Sequence, residues 1–118
     1  MCDFRSNTEP EMVKVRRVVV VSSGDARPVM LVVPLSTTRP WDYRPVHVRL
    51  SGRYVFLAPT VWAKCDLVTH VAQHRLDRIS VGGRYLSSRE ARVRPNDLVA
   101  IRAGILYALG LGRLVSSL

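Results

Sequence analysis

The chain has 118 residues, a mass of 13.3 kDa and a hydrophobic content of 47%, which predicts one globular domain with a small core over residues 1–118. No apolar run approaches the roughly 18 residues of a membrane span, and the N-terminus lacks the apolar core of a signal peptide, so we expect a cytosolic protein. Two cysteines, Cys2 and Cys65, are too few for a disulfide framework or a zinc cluster.

Charge is the unusual property of this sequence. It has 18 basic and 9 acidic residues, a net charge of +9 and a pI of about 10.8. Only Lys14 and Lys64 are lysines, so arginine supplies most of the positive charge. A small arginine-rich domain favours a polyanion or an acidic protein segment as its partner. The arginine bias of a GC-rich genome is the alternative explanation.

The first part of the chain predicts an arm followed by two strands. Residues 1–14 show no period and predict a loop or arm. The run Val18–Val21 is dense in β-branched residues, as in strands that are buried on both faces. After a turn at residues 22–28, Val29–Leu35 predicts a second strand, and Thr38–Pro45, with two prolines, predicts a loop.

The middle of the chain predicts further short strands. His47–Leu50 alternates as a half-buried strand does, and Tyr54–Leu57 is another strand candidate. Val61–Val68 predicts a strand on which Lys64 and Asp66, two residues apart, share one face.

Beyond this strand the pattern weakens until the C-terminal helix. Val71–Arg78 is ambiguous between a helical turn and a loop, and Arg84–Leu86 predicts a short strand. Asn96 is a candidate N-cap, with Asp97 near the positive end of the helix dipole. Gly110 provides a C-terminal stop. Helical spacing is shown by Leu98, Ile101, Ile105 and Leu109.

Many short strands followed by one helix define the predicted fold class. Because strands and helices do not alternate, a doubly wound parallel sheet is excluded. We predict a mainly β protein with a C-terminal helix, built as a small, strongly curved antiparallel barrel.

Most motifs that bind cofactors are absent from the sequence. There is no phosphate-binding glycine loop, and His47, His70 and His74 do not form a zinc pattern with the cysteines. His70 and His74 would share a helix face but have no third ligand nearby. We therefore predict no metal and no other cofactor.

Three segments place polar residues inside or at the ends of apolar strands. They are Lys14–Arg17, Val32–Thr38 and Trp62–Val68. By spacing alone, these residues indicate only a solvated basic face, strand-end hydroxyls and one same-face ion pair.

Taken together, the three segments resemble the PemK/MazF family of type II toxin endoribonucleases. The family's three signatures correspond to Arg16–Val21, Val32–Thr37 and Lys64–Asp66. Similarity to a subgroup of the family extends to residues 45–50, 74–79 and 97–110. The resemblance implies a small SH3-like barrel of the CcdB/PemK type. It further implies a homodimer that cleaves single-stranded RNA without a metal and is neutralised by an acidic antitoxin lying in the RNA groove.

The resemblance also assigns roles to individual residues. Arg16 would bind the phosphate or act as the cationic catalytic group, and Ser36 would donate a hydrogen bond to the phosphate. Asp66 would be the base, and Lys64 would stabilise charge or act as the acid. The candidates for further substrate contact are Thr37, Trp41, His47 and Arg49.

Two departures from the family pattern keep other functions open. Arg17 stands where the family usually has a proline, which would fix φ near roughly −65°. The family also usually has a strand before the segment matching Cys2–Phe4, so the N-terminal strand is expected to be truncated. The alternatives are a barrel that only binds a protein target, as gyrase-inhibiting toxins do, and a catalytically inactive binding module.

Overall fold

A computed structural model describes residues 2–3, 15–22, 29–42, 44–72, 75–76, 79–87 and 90–118. These residues form a five-stranded antiparallel sheet, two short hairpin-like pairs of strands and a long C-terminal helix. The strands are β1 (Cys2–Asp3), β2 (Val15–Arg16), β3 (Val18–Val20), β4 (Val29–Ser36), β5 (His47–Arg49), β6 (Trp62–Lys64), β7 (Thr69–Ala72), β8 (Ser80–Val81) and β9 (Arg84–Tyr85). The helices are α1 (Pro95–Ala108) and two 3₁₀ helices, Cys65–Leu67 and Gly112–Ser117.

The long strand β4 is the centre of the sheet. β3 pairs with one of its edges, while β7 and then β6 pair with the other edge, and β5 extends the sheet beyond β6. Val32 and Val33 point to opposite faces, and both are fully buried. Burial on both faces explains why β4 reads as a continuous apolar run without polar alternation. The prediction of two strands at Val18–Val21 and Val29–Leu35 is confirmed.

The two faces of the sheet have different environments. One face packs on α1, and its core contains Val19, Val33, Leu35, Ala63, Cys65 and Ile101. The opposite face has a smaller apolar cluster of Val32 and Val71, with Val18 and Leu76 packed against it. The described strands do not close into a complete ring, although the mainly β fold with a C-terminal helix is as predicted.

A three-residue bulge interrupts the predicted strand Val61–Val68. From Val32 to Leu35 β4 advances three residues, while its partner advances six, from Thr69 back to Ala63. The three extra residues form the 3₁₀ turn Cys65–Leu67, which we call the Asp66 bulge. The prediction that Lys64 and Asp66 share one strand face is therefore wrong, because Asp66 lies in the bulge and not on a strand.

A turn replaces the strand predicted at Tyr54–Leu57. The Leu57 N–H donates to the Tyr54 carbonyl over 3.1 Å, which closes the turn. The buried Phe56 lies with its ring centroid 5.3 Å from that of Tyr54. The chain turns here because the Tyr54 hydroxyl is bound inside the protein, as described below.

The predicted short strand at Arg84–Leu86 is confirmed as β9. It pairs with β8 through the two-residue turn Gly82–Gly83, whose φ angles are +59° and +79°. Two consecutive positive φ values are typical of the type I′ hairpin turn, which favours glycine at both positions.

The described residues cover only part of the predicted N-terminal arm, residues 1–14, and of the ambiguous segment 71–78. Within the predicted arm, Cys2–Asp3 pairs as β1 with Val15–Arg16, so a strand lies where a loop was expected. In the ambiguous segment Val71–Arg78, the first two residues belong to β7. Most of the predicted turn at residues 22–28 lies outside the described residues.

Helix α1 begins two residues before the start that an N-cap at Asn96 predicts. Pro95 occupies its first turn and Arg94 is the N-cap, so the prediction of Asn96 as N-cap is wrong. Proline suits the first helical position because its missing N–H would be unpaired there in any case. At the other end Gly110 has φ +75°, and the Leu111 N–H donates to the Leu106 carbonyl over 2.8 Å, as the predicted glycine stop requires.

Asp97 binds the helix start to the turn that follows β5. Its carboxylate accepts the backbone N–H groups of Ser51 (2.7 Å) and Gly52 (3.0 Å), the Ser51 hydroxyl (2.8 Å) and the Tyr54 hydroxyl (2.5 Å). The Arg94 N–H in turn donates to the Tyr54 oxygen over 2.8 Å. Burial acts to raise the pKa of Asp97, but the hydrogen bonds from Tyr54, Ser51 and Gly52 outweigh it and hold the pKa below its usual value.

Close packing fixes the middle of α1 against the Asp66 bulge. A Cβ on Gly104 would lie 2.6 Å from the Cys65 Sγ and 2.9 Å from the Val48 Cγ2. Glycine is therefore required for this helix to approach the sheet as closely as it does. Ile101, fully buried one turn earlier, completes the contact.

We predict that Asp97→Asn lowers the free energy of unfolding at pH 7 by about 1–3 kcal/mol, because buried donors lose their charged acceptor. The folded-state pKa of Asp97 lies below its unfolded value of roughly 3.9. The stabilisation is therefore present above that pH and is lost as the pH falls through the folded-state pKa. Urea unfolding of both proteins between pH 7 and pH 3 should show the difference narrowing in acid, and a constant difference would contradict this assignment.

We also predict that Gly104→Ala destabilises the protein by about 1–3 kcal/mol through overpacking, despite the better helix propensity of alanine by about 1 kcal/mol. Adding Cys65→Ala should recover part of the loss, because it removes the nearest atom. Thermal unfolding of the two single variants and the double variant measures this coupling. If the two effects simply add, the helix and the bulge are not packed as described.

Candidate functional site

The sheet face opposite α1 collects four of the predicted site residues. Alternation along β4 places Ser36 on this face, and Ser36 pairs with Trp62 on β6. Lys64 follows on the same face of β6 and pairs with His47 on β5, while Trp62 pairs with Arg49. Strand pairing therefore brings together residues that lie up to 28 positions apart in the sequence.

The backbone of Arg16 lies beside Ser36 at the end of β4. The Leu35 N–H donates to the Arg17 carbonyl over 2.9 Å, and Val18 pairs with Pro34. Continuing this antiparallel register by one residue places Arg16 next to Ser36. Arg16 and Ser36, the predicted cationic and hydroxyl residues of the first two signatures, therefore lie on neighbouring chain segments.

At the end of β4, the side-chain hydroxyl of Ser36 closes a local turn. Its Oγ accepts the Thr38 N–H over 3.1 Å, and the residue is only 6% exposed. Because the oxygen acts as the acceptor in this bond, the hydroxyl proton remains available for donation to a ligand. Thr37, which follows, is exposed.

Four charged or titratable side chains meet where the Asp66 bulge approaches the loop after β4. We call Asp42, Arg44, His47 and Asp66 the Asp42 cluster. Arg44 lies 2.8 Å from Asp42 through its Nε and 3.4 Å from Asp66 through its Nη2. His47 lies 3.4 Å from Asp42 through its Nδ1 and 3.8 Å from Asp66 through its Nε2. Each carboxylate therefore faces both Arg44 and His47.

Backbone hydrogen bonds hold the loop and the bulge together beneath this cluster. The Cys65 N–H donates to the Val46 carbonyl and the His47 N–H donates to the Arg44 carbonyl, each over 3.0 Å. His47, predicted as a substrate contact, is only 9% exposed in its side chain and lies between the two carboxylates.

Sequence reasoning missed Asp42 and Arg44. Both belong to the segment Thr38–Pro45, which was predicted only as a loop. The alternation of an aromatic and a charged residue from Trp41 to Arg44 is a weak signal for a functional loop. Nothing in the spacing could indicate that Arg44 contacts Asp66, 22 residues further along the chain.

Trp41 and Arg49 lie at the surface near the cluster. Trp41 is 94% exposed and directly precedes Asp42. An exposed indole offers a face on which a nucleobase can stack, and stacking is tolerant of base identity. Arg49 is exposed at the end of β5. Both positions suit contact with an extended ligand.

A groove of about 1010 Å³ lies elsewhere, between β3, the turn at residues 54–57 and the start of α1. Its described walls are mostly apolar and include Val20, Phe56 and Leu98, with Arg17 and Arg92 also contributing. Ser36, Lys64 and Asp66 are not among the described residues that line it. The predicted site is therefore separate from this groove.

The described residues hold no cluster of three or more His, Cys, Asp or Glu side chains that could bind a metal ion. His70 lies exposed on β7, not on the helix that would have paired it with His74, and His74 is outside the described residues. In the described part of the chain, no helix is long and apolar enough to cross a membrane.

Comparison with known proteins identifies the family to which this chain belongs. The family described as PemK-like, MazF-like toxins of type II toxin-antitoxin systems matches residues 1–105. A relative from Escherichia coli strain K12, the putative uncharacterized protein YifN, is 38% identical over 98 residues. This match covers 77% of the present chain and 63% of the relative, so the chain spans less than two thirds of that protein.

Solved structures show the same fold. An endoribonuclease from a mycobacterial species, in complex with its cognate antitoxin, superposes with a TM-score of 0.65 at 22% identity, over 93% of this chain and 88% of its own. A second mycobacterial endoribonuclease superposes with a TM-score of 0.60 at 21% identity, over 81% of each chain.

Cys65 lies between Lys64 and Asp66, and the reactivity of its thiol reports how tightly the Asp66 bulge is packed. Its thiol is buried, and burial, with a smaller contribution from the Asp66 charge, raises its pKa to about 12. The thiol also lies 3.4 Å from the Ile101 carbonyl of α1. A reactive cysteine needs a low pKa and exposure, so Cys65 is a structural residue.

We predict that Cys65 resists alkylation in the folded protein. In a Cys2→Ser variant, which leaves Cys65 as the single thiol, iodoacetamide at pH 8 should modify the native protein at least about 100-fold more slowly than the urea-unfolded protein. Mass spectrometry over a time course gives both rates. Equal rates would mean that the bulge opens freely.

Proposed function

Because this chain belongs to the family of PemK-like, MazF-like toxins of type II toxin-antitoxin systems, we propose that it is an endoribonuclease that cleaves single-stranded RNA without a metal ion. The observation that carries the proposal is the convergence of Ser36, Lys64 and Asp66 at one end of the sheet, next to the backbone of Arg16. A hydroxyl donor, cations and a carboxylate are the groups that such a reaction needs.

The charge of the protein supports RNA as the substrate. A net charge of +9 attracts phosphates irrespective of sequence. The exposed Trp41 and Arg49 offer stacking and phosphate contacts beside the Asp42 cluster. His47 and Thr37 complete the proposed contact surface. Base contacts, and not phosphate contacts, would set any sequence preference.

The proposed chemistry uses the nucleophile that RNA itself supplies. Asp66 removes the proton of the 2′-hydroxyl, whose oxygen attacks the adjacent phosphorus. Arg16 and the Ser36 hydroxyl bind the phosphate and stabilise the negative charge that develops on its oxygens. Lys64 stabilises the same charge or protonates the departing 5′-oxygen. The phosphorus–5′-oxygen bond breaks, which leaves a 2′,3′-cyclic phosphate and a 5′-hydroxyl.

An acidic antitoxin is the proposed protein partner. The mycobacterial endoribonuclease of similar fold binds its cognate antitoxin, and the excess of arginine on this chain would attract an acidic segment. We propose that this segment covers the same basic face as RNA, that the toxin domain acts as a homodimer and that it works in the bacterial cytoplasm, where its RNA substrates are found.

We predict that the purified protein cleaves a long single-stranded RNA in the presence of EDTA and produces 5′-hydroxyl ends. Arg16→Ala, Ser36→Ala and Asp66→Asn should each lower the rate by about 10²–10⁴-fold, because each removes a group that acts on the transition state. Labelling of the new 5′ ends with a polynucleotide kinase, without prior phosphatase treatment, identifies the products.

Glu90→Gln is the matched control for the carboxylate variant. Glu90 pairs with Arg84 at 2.9 Å on the hairpin side of the molecule and is exposed, so its loss should leave cleavage unchanged. A folded wild-type protein that cleaves no RNA would refute the proposal and favour a domain that acts only by binding, including the gyrase-inhibitor-like alternative.

A further inference from the structure

We propose that Asp42 is a positioning residue of this site, which acts through Arg44 and His47 to hold the Asp66 carboxylate in place. The inference rests on the proposed function, because Asp66 is there the base that accepts the 2′-hydroxyl proton. It adds a residue that no signature of the family includes. The geometry of the Asp42 cluster carries it.

Asp42 binds both of the side chains that reach Asp66. Its Oδ2 lies 2.8 Å from the Arg44 Nε, and its Oδ1 lies 3.4 Å from the His47 Nδ1. The Asp42 backbone carbonyl also lies 3.4 Å from the same His47 nitrogen. Both oxygens lie on the Nδ1 side of the His47 ring, and the opposite nitrogen, Nε2, faces Asp66.

Arg44 and His47 each contact a different oxygen of Asp66. The Arg44 Nη2 donates to Oδ2 over 3.4 Å, and the His47 Nε2 lies 3.8 Å from Oδ1. The carboxylate is thus approached on both oxygens, and both approaching groups are held from behind by Asp42. Removal of the Asp42 carboxylate would therefore take a side-chain contact from both at once.

Asp66 needs such support because of where it lies. The 3₁₀ turn Cys65–Leu67 fixes the backbone, but the Asp66 side chain is one-third exposed and extends from the bulge. A carboxylate attached only to its own backbone would sample several rotamers. A general base must lie within hydrogen-bond reach of the proton that it removes, so its orientation affects the rate directly.

The Asp42–Arg44 ion pair is too exposed to contribute much to folding. The Arg44 side chain is 56% exposed, and ion pairs at such positions contribute little to stability. An effect of Asp42 on activity can therefore be separated from an effect on the fold. A positioning role predicts a lower kcat with a nearly unchanged KM, since Asp66 acts on the reacting proton and not on substrate binding.

The test compares single-turnover and steady-state RNA cleavage by Asp42→Asn, Asp66→Asn and the double variant. Asp42→Asn removes the negative charge that faces both the Arg44 Nε and the His47 Nδ1. We expect kcat to fall about tenfold, with KM and the midpoint of urea unfolding close to the wild-type values. Asp42→Glu, which keeps the charge, should recover part of kcat.

The double variant separates a positioning role from an independent one. If Asp42 acts through Asp66, adding Asp42→Asn to Asp66→Asn lowers the rate no further. Glu90→Gln, which breaks an exposed carboxylate–arginine pair outside the site, should lower the rate in neither background.

Three results would overturn the inference. The first is an unchanged kcat in Asp42→Asn beside an active wild-type protein, and the second is a full tenfold further loss in the double variant. In both cases the proposed ribonuclease function stands and only the role of Asp42 is lost. The third is a wild-type protein that cleaves no RNA, which removes the proposed function and with it the role of Asp42.

Discussion

The insertion of three residues opposite β4 is the constraint on which the site depends. β4 is paired along both edges and buried on both faces, so it offers no freedom of its own. Its partner chain leaves β6, turns through Cys65–Leu67 and rejoins the sheet as β7. A regular strand in this place would carry residue 66 in the plane of the sheet. The 3₁₀ turn instead takes Asp66 out of the strand pairing with β4, to a position where the side chains of Arg44 and His47 contact it. Bulges commonly redirect a side chain in this way near functional sites.

The helix explains why the bulge keeps its shape. Cys65 is fully buried, and the absent side chain of Gly104 lets α1 approach its sulfur directly. The start of the helix is fixed separately, because Asp97 binds the backbone of the turn at Ser51 and the Tyr54 hydroxyl. Helix α1 therefore holds two parts of the chain in place: the Asp66 bulge, through the contact at Gly104, and the turn after β5, through Asp97. The site residues lie on the opposite face, so the core supports them without taking part in the chemistry.

The parts of the fold that could be predicted are those in which one local pattern decides the structure. β3 and β4 are continuous apolar runs, and α1 shows helical spacing, a first-turn proline and a terminal glycine. The bulge could not be predicted, because the spacing of Lys64 and Asp66 within Val61–Val68 also fits a regular strand, and only the folded structure shows the helix packing on Cys65. Resemblance indicated Ser36, Lys64 and Asp66. Asp42 and Arg44 were not predicted, because Arg44 reaches Asp66, and Asp42 reaches Arg44, only after folding brings their loop next to the Asp66 bulge.

The Asp42 cluster also addresses a conflict within the proposed chemistry. A strongly cationic protein attracts RNA, yet its base must be a carboxylate, which the phosphates repel. Arg44 lies 3.4 Å from Asp66, and Lys64 pairs with His47 on the adjoining strand. Positive charge at this distance offsets the repulsion between the carboxylate and the phosphate. The second carboxylate, Asp42, prevents Arg44 from turning away towards the substrate phosphate. An arginine-rich surface thus needs acidic residues at the site itself, because without them its cations would bind RNA but nothing would remove the proton.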